Sequence, residues 1–283
     1  MLHSFGSGKD GSGPLASLIF DADGNLYGTT FEGGAHSQGT VFELTSAKGG
    51  AWTENVLHNF AENGKDGYNP HVSLIFDGAG NLYGTTGLGG SGACPPGNSI
   101  GCGTAFELTP KAGGSWTEKV LHHFNNNGKD GHNPYASLIF DTAGNLYGTT
   151  SLGGAQGQGA VFELTPKEGG KWTETVLHTF RLSRTDGSNP EGGLILDASG
   201  NLYGTTFYGG SKSAGTVFEL TSREGGSWAE NILHNFSYNG EGGNLPAASL
   251  IFDASGNLYG TTTGGGSKGC NGRGCGTVFE ITP

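Results

Sequence analysis

The six residues Asn-Leu-Tyr-Gly-Thr-Thr occur five times in this chain of 283 residues, at 25–30, 81–86, 145–150, 201–206 and 257–262. The tyrosines of successive copies are 56, 64, 56 and 56 residues apart. A nearly constant period of this length is typical of proteins in which each repeat is one supersecondary unit. The chain is therefore constrained to a repeat architecture, either a solenoid or a propeller.

Each repeat predicts four short strands. In the second repeat these are "SLIFD" at 73–77, "NLYGTT" at 81–86, "GTAFELT" at 103–109 and "WTEKVLHHF" at 116–124. Aromatic and β-branched residues dominate the runs, while Gly, Asn, Asp and Pro lie between them. An antiparallel meander of four strands in each repeat is a propeller blade. We therefore predict an all-β, five-bladed β-propeller with four-stranded blades, formed as one domain by residues 1–283.

The order of the predicted strands at the two ends favours a propeller over a solenoid. The chain begins with "MLHSF", the tail of a fourth strand, and finishes with "GTVFEITP", a third strand. We expect residues 1–6 to pair into the last blade, residues 247–283, and so to close the propeller. A solenoid would instead need polar capping repeats at its ends.

Charge and hydropathy exclude two classes of partner. The formal net charge is −11, and no stripe of basic residues is present to neutralise phosphates, so we expect no nucleic-acid partner. No apolar run reaches the 18 or so residues of a membrane span, so we expect no transmembrane segment. We expect a monomer without a cofactor, whose partner is a glycan or another extracellular ligand.

The cysteines form two local pairs, Cys94 with Cys102 and Cys270 with Cys275. Zinc is the competing interpretation, but neither loop contains a C-x₂-C motif or a nearby histidine. Two disulfides are favoured, which indicates an oxidising compartment and a secreted or cell-surface protein. Since "LHSF" directly after Met1 belongs to the repeat, we expect that an export leader has been removed.

Several polar residues recur in every repeat or nearly so. The histidines of the "LHxF" motif are His3, His58, His122, His178 and His234, and the acids that open the first turn are Asp21, Asp77, Asp141, Asp197 and Asp253. Metal or catalytic histidines and calcium-binding aspartates are the alternatives, but a bidentate Glu is missing. We expect packing or hydrogen-bonding histidines, turn-capping aspartates and no metal site. The "KDG" acids Asp10, Asp66, Asp130 and Asp186 suit turns equally well, with attraction of a cation as the alternative.

The pattern "SLIFDxxGNLYGTTxxGG…GTVFELTP…GGxWTExVLHxF" resembles the GloVer tandem repeat of bacterial surface or secreted proteins, over essentially the whole chain. The resemblance implies export and provides no catalytic residues. "DxxGNLY" is also similar to the first hairpin of NHL-type propellers, whose first strand is innermost. This implies that the loops after the second strands and the loops between blades share one face.

On that face, the residues that differ between blades are the candidates for function. After the proline of each inter-blade loop, the second, third and fourth copies place His71, Tyr135 and Glu191, which we expect to converge towards the axis. A histidine, a phenol and a carboxylate suit acid–base chemistry or hydrogen bonds to a sugar, and the tyrosine ring offers a stacking face. Catalysis, binding and no role all remain open for these three residues.

The loops after the second strands carry three further aromatic residues, Phe31, Phe207 and Tyr208, at places where other copies are small. Exposed aromatic rings beside Gly-Gly turns suit stacking on pyranose rings, or they plug the propeller. The predicted ligand-binding set is completed by residues of the adjoining loops: Phe31, Tyr68, His71, His132, Tyr135, Glu191, Phe207 and Tyr208.

Three functions are compatible with this pattern. The first is an extracellular, lectin-like carbohydrate-binding propeller. The second is a secreted polysaccharide hydrolase or lyase with a single site at the axis and His71, Tyr135 and Glu191 as catalytic candidates. The third is a structural or adhesive surface protein. The fold does not decide among them, because propellers support all three.

Overall fold

The computed structural model describes residues 1–6, 8–47, 49–92, 94, 101–239, 242–266, 270 and 274–283. The chain divides into two compact units. Unit 1 contains residues 1–126 and 133–138, and unit 2 contains residues 127–132 and 139–283. Each unit is described by itself.

Unit 1 contains two antiparallel four-stranded sheets, which we call blades 1 and 2, and one two-stranded sheet. Blade 1 consists of β1 (Ile19–Phe20), β2 (Leu26–Thr30), β3 (Thr40–Ser46) and β4 (Trp52–Asn59). The two-stranded sheet pairs β5 (Gly67–Tyr68) with β8 (Leu88–Gly89), and blade 2 consists of β6 (Ile75–Phe76), β7 (Leu82–Thr86), β9 (Thr104–Pro110) and β10 (Trp116–His123).

Unit 2 contains blades 3, 4 and 5. Blade 3 consists of β12 (Ile139–Phe140), β13 (Leu146–Thr150), β15 (Ala160–Lys167) and β16 (Lys171–Thr179), with a 3₁₀ turn at Glu168–Gly170. Blade 4 consists of β18 (Ile195–Leu196), β19 (Leu202–Thr206), β21 (Thr216–Ser222) and β22 (Trp228–Asn235), and blade 5 of β24 (Ile251–Phe252), β25 (Leu258–Thr262) and β27 (Thr277–Ile281). Three two-stranded sheets pair β11 (Gly131–His132) with β14 (Leu152–Gly153), β17 (Gly187–Ser188) with β20 (Tyr208–Gly209), and β23 (Gly243–Asn244) with β26 (Gly264–Gly265).

The predicted fold class is confirmed: the chain is an all-β, five-bladed β-propeller whose blades are antiparallel meanders. Blade 5 has three strands among the described residues, and none of residues 1–6 lies in a strand. The pairing of residues 1–6 into the last blade therefore stays a prediction. Within unit 1, the Phe5 ring packs on Phe42 of blade 1 with 5.0 Å between centroids.

A repeated aromatic contact packs one blade on the next. Phe60, directly after β4 of blade 1, lies with its ring centroid 5.3 Å from that of Phe106 on β9 of blade 2, and both rings are fully buried. In unit 2, Phe180 contacts Phe218 in the same way at 5.2 Å. Phe106 also covers Gly84, where an added Cβ would lie 2.8 Å from Phe106 Cζ. The glycine of the repeated motif is therefore required by packing within the blade.

The aspartates that open the first turn act as caps, as predicted. The Oδ1 atom of Asp77 accepts backbone N–H groups of Ala79 and Asn81 at 2.8 and 2.9 Å. Its Oδ2 atom accepts the Asn81 side-chain amide at 2.8 Å and the Tyr83 hydroxyl at 3.1 Å. Burial by itself would raise the pKa of Asp77, but these hydrogen bonds stabilise the carboxylate and leave its pKa below the usual value.

Both predicted disulfides are present, Cys94–Cys102 and Cys270–Cys275. Among the described residues, no helix is long and apolar enough to cross a membrane. These observations are consistent with a protein of an oxidising, extracellular compartment.

Gly84→Ala and Gly78→Ala form a matched pair that tests the packing. Both glycines lie outside the left-handed backbone region, but a Cβ at Gly84 meets Phe106, whereas one at Gly78 meets nothing within 4 Å. We expect Gly84→Ala to lower the free energy of unfolding by about 1–3 kcal/mol, because it overpacks the blade. Gly78→Ala should be neutral or stabilising by up to about 1 kcal/mol. Urea denaturation followed by tryptophan fluorescence measures both, and equal midpoints would contradict this account.

Candidate functional site

An aromatic cluster of unit 1, formed by Phe31, His71 and Tyr135, contains three of the predicted ligand-binding residues. The ring centroids of Phe31 and His71 are 4.4 Å apart with 45° between the ring planes. The ring centroids of His71 and Tyr135 are 4.9 Å apart at 75°, an edge-to-face contact. The structure thus brings together one side chain from the end of β2 and two from inter-blade loops.

Two Asn-Pro turns position the cluster. His71 follows Asn69-Pro70, and Tyr135 follows Asn133-Pro134. Each asparagine has a left-handed backbone, with φ of 54° at Asn69 and 57° at Asn133, a conformation that Asn tolerates better than most residues. The Asn69 side-chain amide donates to the Phe31 carbonyl at 2.9 Å, which ties the first turn directly to its aromatic neighbour.

The break in symmetry at Gly87 makes room for two of the rings. Gly87 stands where blade 1 has Phe31, directly after the repeated motif. An added Cβ at Gly87 would lie 2.5 Å from Tyr135 Cε1 and 3.4 Å from His71 Cδ2. A larger residue at this place would therefore displace the Tyr135 ring from its contact with His71.

The aromatic cluster combines a partly exposed apolar surface with two polar groups. Tyr135 is 37% exposed, and its hydroxyl oxygen accepts the Asn133 side-chain amide at 3.1 Å, so the hydroxyl proton is available to a ligand. Burial lowers the pKa of His71, because it disfavours the imidazolium cation. At neutral pH the cluster therefore presents a neutral imidazole beside a phenol.

Two predicted ligand-binding residues lie in the core instead. Tyr68 is 4% exposed and His132 is 8% exposed, because β5 and β11 pair with the strands after the repeated motif and turn these side chains inward. Burial also raises the pKa of the Tyr68 phenol to about 12. That both side chains contact a ligand stays a prediction.

In unit 2, Phe207 and Tyr208 form an edge-to-face pair with 4.7 Å between ring centroids, and Tyr208 is 42% exposed. Glu191 is half-buried, and burial raises the pKa of its carboxyl group. The participation of these three residues in a ligand site stays a prediction.

The structure also joins His58 and Asp66 with Glu118, a glutamate of the fourth strand that no sequence-based prediction singled out. His58 Nε2 lies 3.1 Å from Asp66 Oδ2, which confirms a hydrogen-bonding role for this histidine, and Glu118 belongs to the same group. Burial, and then the charge of Asp66, raise the pKa of Glu118. The sequence contained a hint of this group, because the motifs "LHxF", "KDG" and "WTE" recur with the repeat. The three side chains come together only when two successive blades pack against each other.

Comparisons with known proteins place the chain in a sequence family and among known folds. A family model for the Gloeobacter/Verrucomicrobia repeat matches residues 1–94 and 92–283. No curated protein sequence matches the chain.

Three solved structures illustrate the similarity of fold. A polysaccharide lyase, an ulvan lyase bound to -[GlcA(1-4)Rha3S]-, has a TM-score of 0.54 and 14% identity, covering 97% of this chain and 71% of its own. A luciferin-regenerating enzyme has a TM-score of 0.51 and 14% identity, covering 98% and 92%. An α-L-arabinofuranosidase from Lactobacillus brevis has a TM-score of 0.46 and 13% identity, covering 96% and 91%. At these identities the similarity to the ulvan lyase and to the luciferin-regenerating enzyme shows the fold alone, and the similarity to the arabinofuranosidase supports no conclusion.

The titration of His71 tests the geometry of the aromatic cluster. Its pKa should lie below the usual 6.5, because burial disfavours the protonated ring. The unfolded chain then binds this proton more tightly, so the stability that neutral His71 contributes is present above pH 6.5 and is lost as the pH falls through the lowered pKa. Imidazole proton shifts measured by NMR against pH check this, with His71→Gln to assign the signal. A pKa at or above 6.5 would place His71 in solvent and contradict the described cluster.

Proposed function

We propose that this chain, which belongs to the Gloeobacter/Verrucomicrobia repeat family, is an extracellular protein that binds carbohydrate through the aromatic cluster of Phe31, His71 and Tyr135. The observation that carries the proposal is this group of touching, partly exposed rings, with centroids 4.4 and 4.9 Å apart. The two disulfides support an extracellular setting.

The chemistry of the cluster suits a sugar. The C–H groups of a pyranose face are apolar and weakly positive, and they pack well on the electron-rich faces of aromatic rings. The ring planes of the cluster are inclined to one another by 45° and 75°, so a ligand meets surfaces of more than one orientation. The Tyr135 hydroxyl proton and the neutral imidazole of His71 can hydrogen-bond to sugar hydroxyls, which fixes the orientation of the ligand.

The charge of the chain favours neutral glycans. A net charge of −11 repels polyanions over distances comparable to the Debye length. The structurally similar ulvan lyase is described as bound to a saccharide of glucuronic acid and sulfated rhamnose. For this chain, we expect neutral saccharides to bind more tightly than sulfated or uronic acid-rich ones, and the difference to shrink as salt is added.

A second candidate function is cleavage of a polysaccharide at the same cluster. The observation that favours it is the neutral imidazole of His71 in edge contact with the Tyr135 phenol, at 4.9 Å between centroids. A neutral histidine can remove a proton from a sugar carbon next to a carboxyl group while a phenol protonates the departing glycosidic oxygen. Ultraviolet absorbance of the unsaturated product would reveal such a lyase, and new reducing ends without that absorbance would reveal a hydrolase.

Binding to neutral glycans by wild-type protein and by Tyr135→Ala tests the main proposal. We expect Tyr135→Ala to weaken the affinity by about 10-fold, or about 1.4 kcal/mol, because it removes both the stacking face and the hydroxyl donor. A glycan array identifies the ligand, and isothermal titration calorimetry measures the affinity. Tyr238→Ala is the matched control, since Tyr238 is 57% exposed and lies outside the predicted ligand-binding set.

The other outcomes distinguish the alternatives. Equal binding by wild-type protein and Tyr135→Ala, with loss in Tyr208→Ala, would place the site at the aromatic pair of unit 2. Loss only when both tyrosines are replaced would indicate repeated weak sites that act through avidity. No binding by wild-type protein to any glycan would reject the carbohydrate proposal and favour a structural or adhesive role.

A further inference from the structure

A second polar group of unit 1 shares no residue with the aromatic cluster and recurs with the repeat. We call it the His–Asp–Glu cluster: His58 on β4, Asp66 just before β5, and Glu118 on β10. Each residue offers one nitrogen or oxygen atom, and the three atoms all lie within 4.8 Å of one another. The shortest of these distances that the structure gives is 3.1 Å, between His58 Nε2 and Asp66 Oδ2.

Both carboxylates of this cluster have a buried oxygen without a hydrogen-bond partner, although Glu118 as a whole is only partly buried. Asp66 is only 7% exposed, and its Oδ2 atom accepts hydrogen bonds from His58 and from the Ala61 backbone N–H. Its other oxygen, Oδ1, has no hydrogen-bond partner, and neither has Glu118 Oε1. Buried carboxylate oxygens normally have hydrogen-bond or metal partners, because leaving them without one costs free energy.

The net negative charge of the cluster favours the binding of a cation. Two carboxylates face one imidazole, and the ion pair described for Asp66 is with His58. With both carboxylates ionised, even a protonated His58 would leave one negative charge in a largely buried place. Either a proton shared between the carboxylates or a metal ion can supply the missing positive charge.

We propose that His58, Asp66 and Glu118 bind a divalent transition-metal ion of the zinc or manganese class. One imidazole nitrogen with carboxylate oxygens is a ligand set that these ions accept, whereas calcium prefers six to eight oxygen ligands. Metal–ligand bonds of about 2.0–2.2 Å place neighbouring ligand atoms about 3 Å apart. The separation of 3.1 Å between His58 Nε2 and Asp66 Oδ2 fits that geometry.

A metal ion here would join two blades of unit 1. His58 lies on the outer strand of blade 1 and Glu118 on the outer strand of blade 2, while Asp66 lies in the loop that connects them. An ion that binds all three therefore stabilises the folded protein, because the unfolded chain does not hold these ligands together.

Unit 2 contains a related group that already has a cation. His178 Nε2 lies 3.3 Å from Asp186 Oδ1 and 3.8 Å from Glu230 Oε2. Here, however, the Arg181 guanidinium Nε lies 3.4 Å from Asp186 Oδ2. Arg181 and Ala61 occupy equivalent positions, each directly after the repeated phenylalanine. An arginine at this position therefore places a positive charge beside the aspartate. We expect the group of unit 2 to bind metal more weakly than the His–Asp–Glu cluster.

Metal counting on the full chain tests the proposal. Protein stripped with a chelator is dialysed against zinc chloride or manganese chloride alone, and bound metal is measured by mass spectrometry. We expect Glu118→Gln to bind one equivalent less than wild-type protein and to lose part of the rise in melting temperature that the metal causes. Glu219→Gln is the control. It alters a carboxylate that accepts a hydrogen bond from the Tyr203 hydroxyl, and it should bind as much metal as wild-type protein.

Ala61→Arg is the second test variant, and it leaves all three proposed ligands in place. It introduces the cation found in unit 2, so it should also lose one equivalent of bound metal, and it serves if Glu118→Gln does not fold. If wild-type protein binds neither metal, or if both variants bind as much as wild-type protein, the cluster holds only a shared proton and the proposal is overturned.

Discussion

The contact between a phenylalanine at the end of one blade and a phenylalanine inside the next is the interaction on which the rest of the structure depends. In unit 1, Phe60 and Phe106 are fully buried and belong to one core that also contains Tyr27 of blade 1 and Leu82 of blade 2. Each blade alone has an apolar face that it cannot cover. Packing that face on the next blade removes it from water, which is the main favourable term in folding such a repeat.

Buried threonines connect this core to the loops that carry the candidate site. The hydroxyls of Thr86 and Thr104 lie 2.9 Å apart across the paired strands β7 and β9. The neighbouring Thr85 hydroxyl donates to the Pro134 carbonyl at 3.2 Å, directly before Tyr135 in the sequence. The repeated Thr-Thr pair therefore forms hydrogen bonds both within the blade and to the inter-blade loop. These bonds fix the aromatic cluster to the sheet although its residues lie in loops.

Repetition and its interruption have different consequences in this chain. The aromatic cluster arises where copies differ: Phe31 and Gly87 occupy equivalent places, and His71 and Tyr135 follow equivalent prolines. The His–Asp–Glu cluster arises from residues that recur. Its surroundings differ between repeats, since Arg181 of unit 2 stands where unit 1 has Ala61. Positions that differ between repeats thus form the first group, whereas recurring positions form the second.

The sequence by itself determined the elements of the fold. The positions of strands such as β7 and β10, the Asp77 turn and the two disulfides all follow from local pattern, turn chemistry and short spacings, and the structure agrees. It also selected His71 and Tyr135 as neighbours, because equivalent places in successive repeats meet when blades pack in order. The contact of Phe31 with His71 was not predicted from the sequence.

Only the tertiary structure decided which repeated side chains are buried and which meet across blades. Tyr68 and His132 look like loop residues in the sequence, yet the pairing of short strands turns both into the core. His58 and Glu118 are sixty residues apart in the chain and lie on different blades, and no local pattern states that their side chains face the same aspartate. The physical reason is that burial and long-range contact are set by how blades pack, whereas strand and turn preferences act over a few residues.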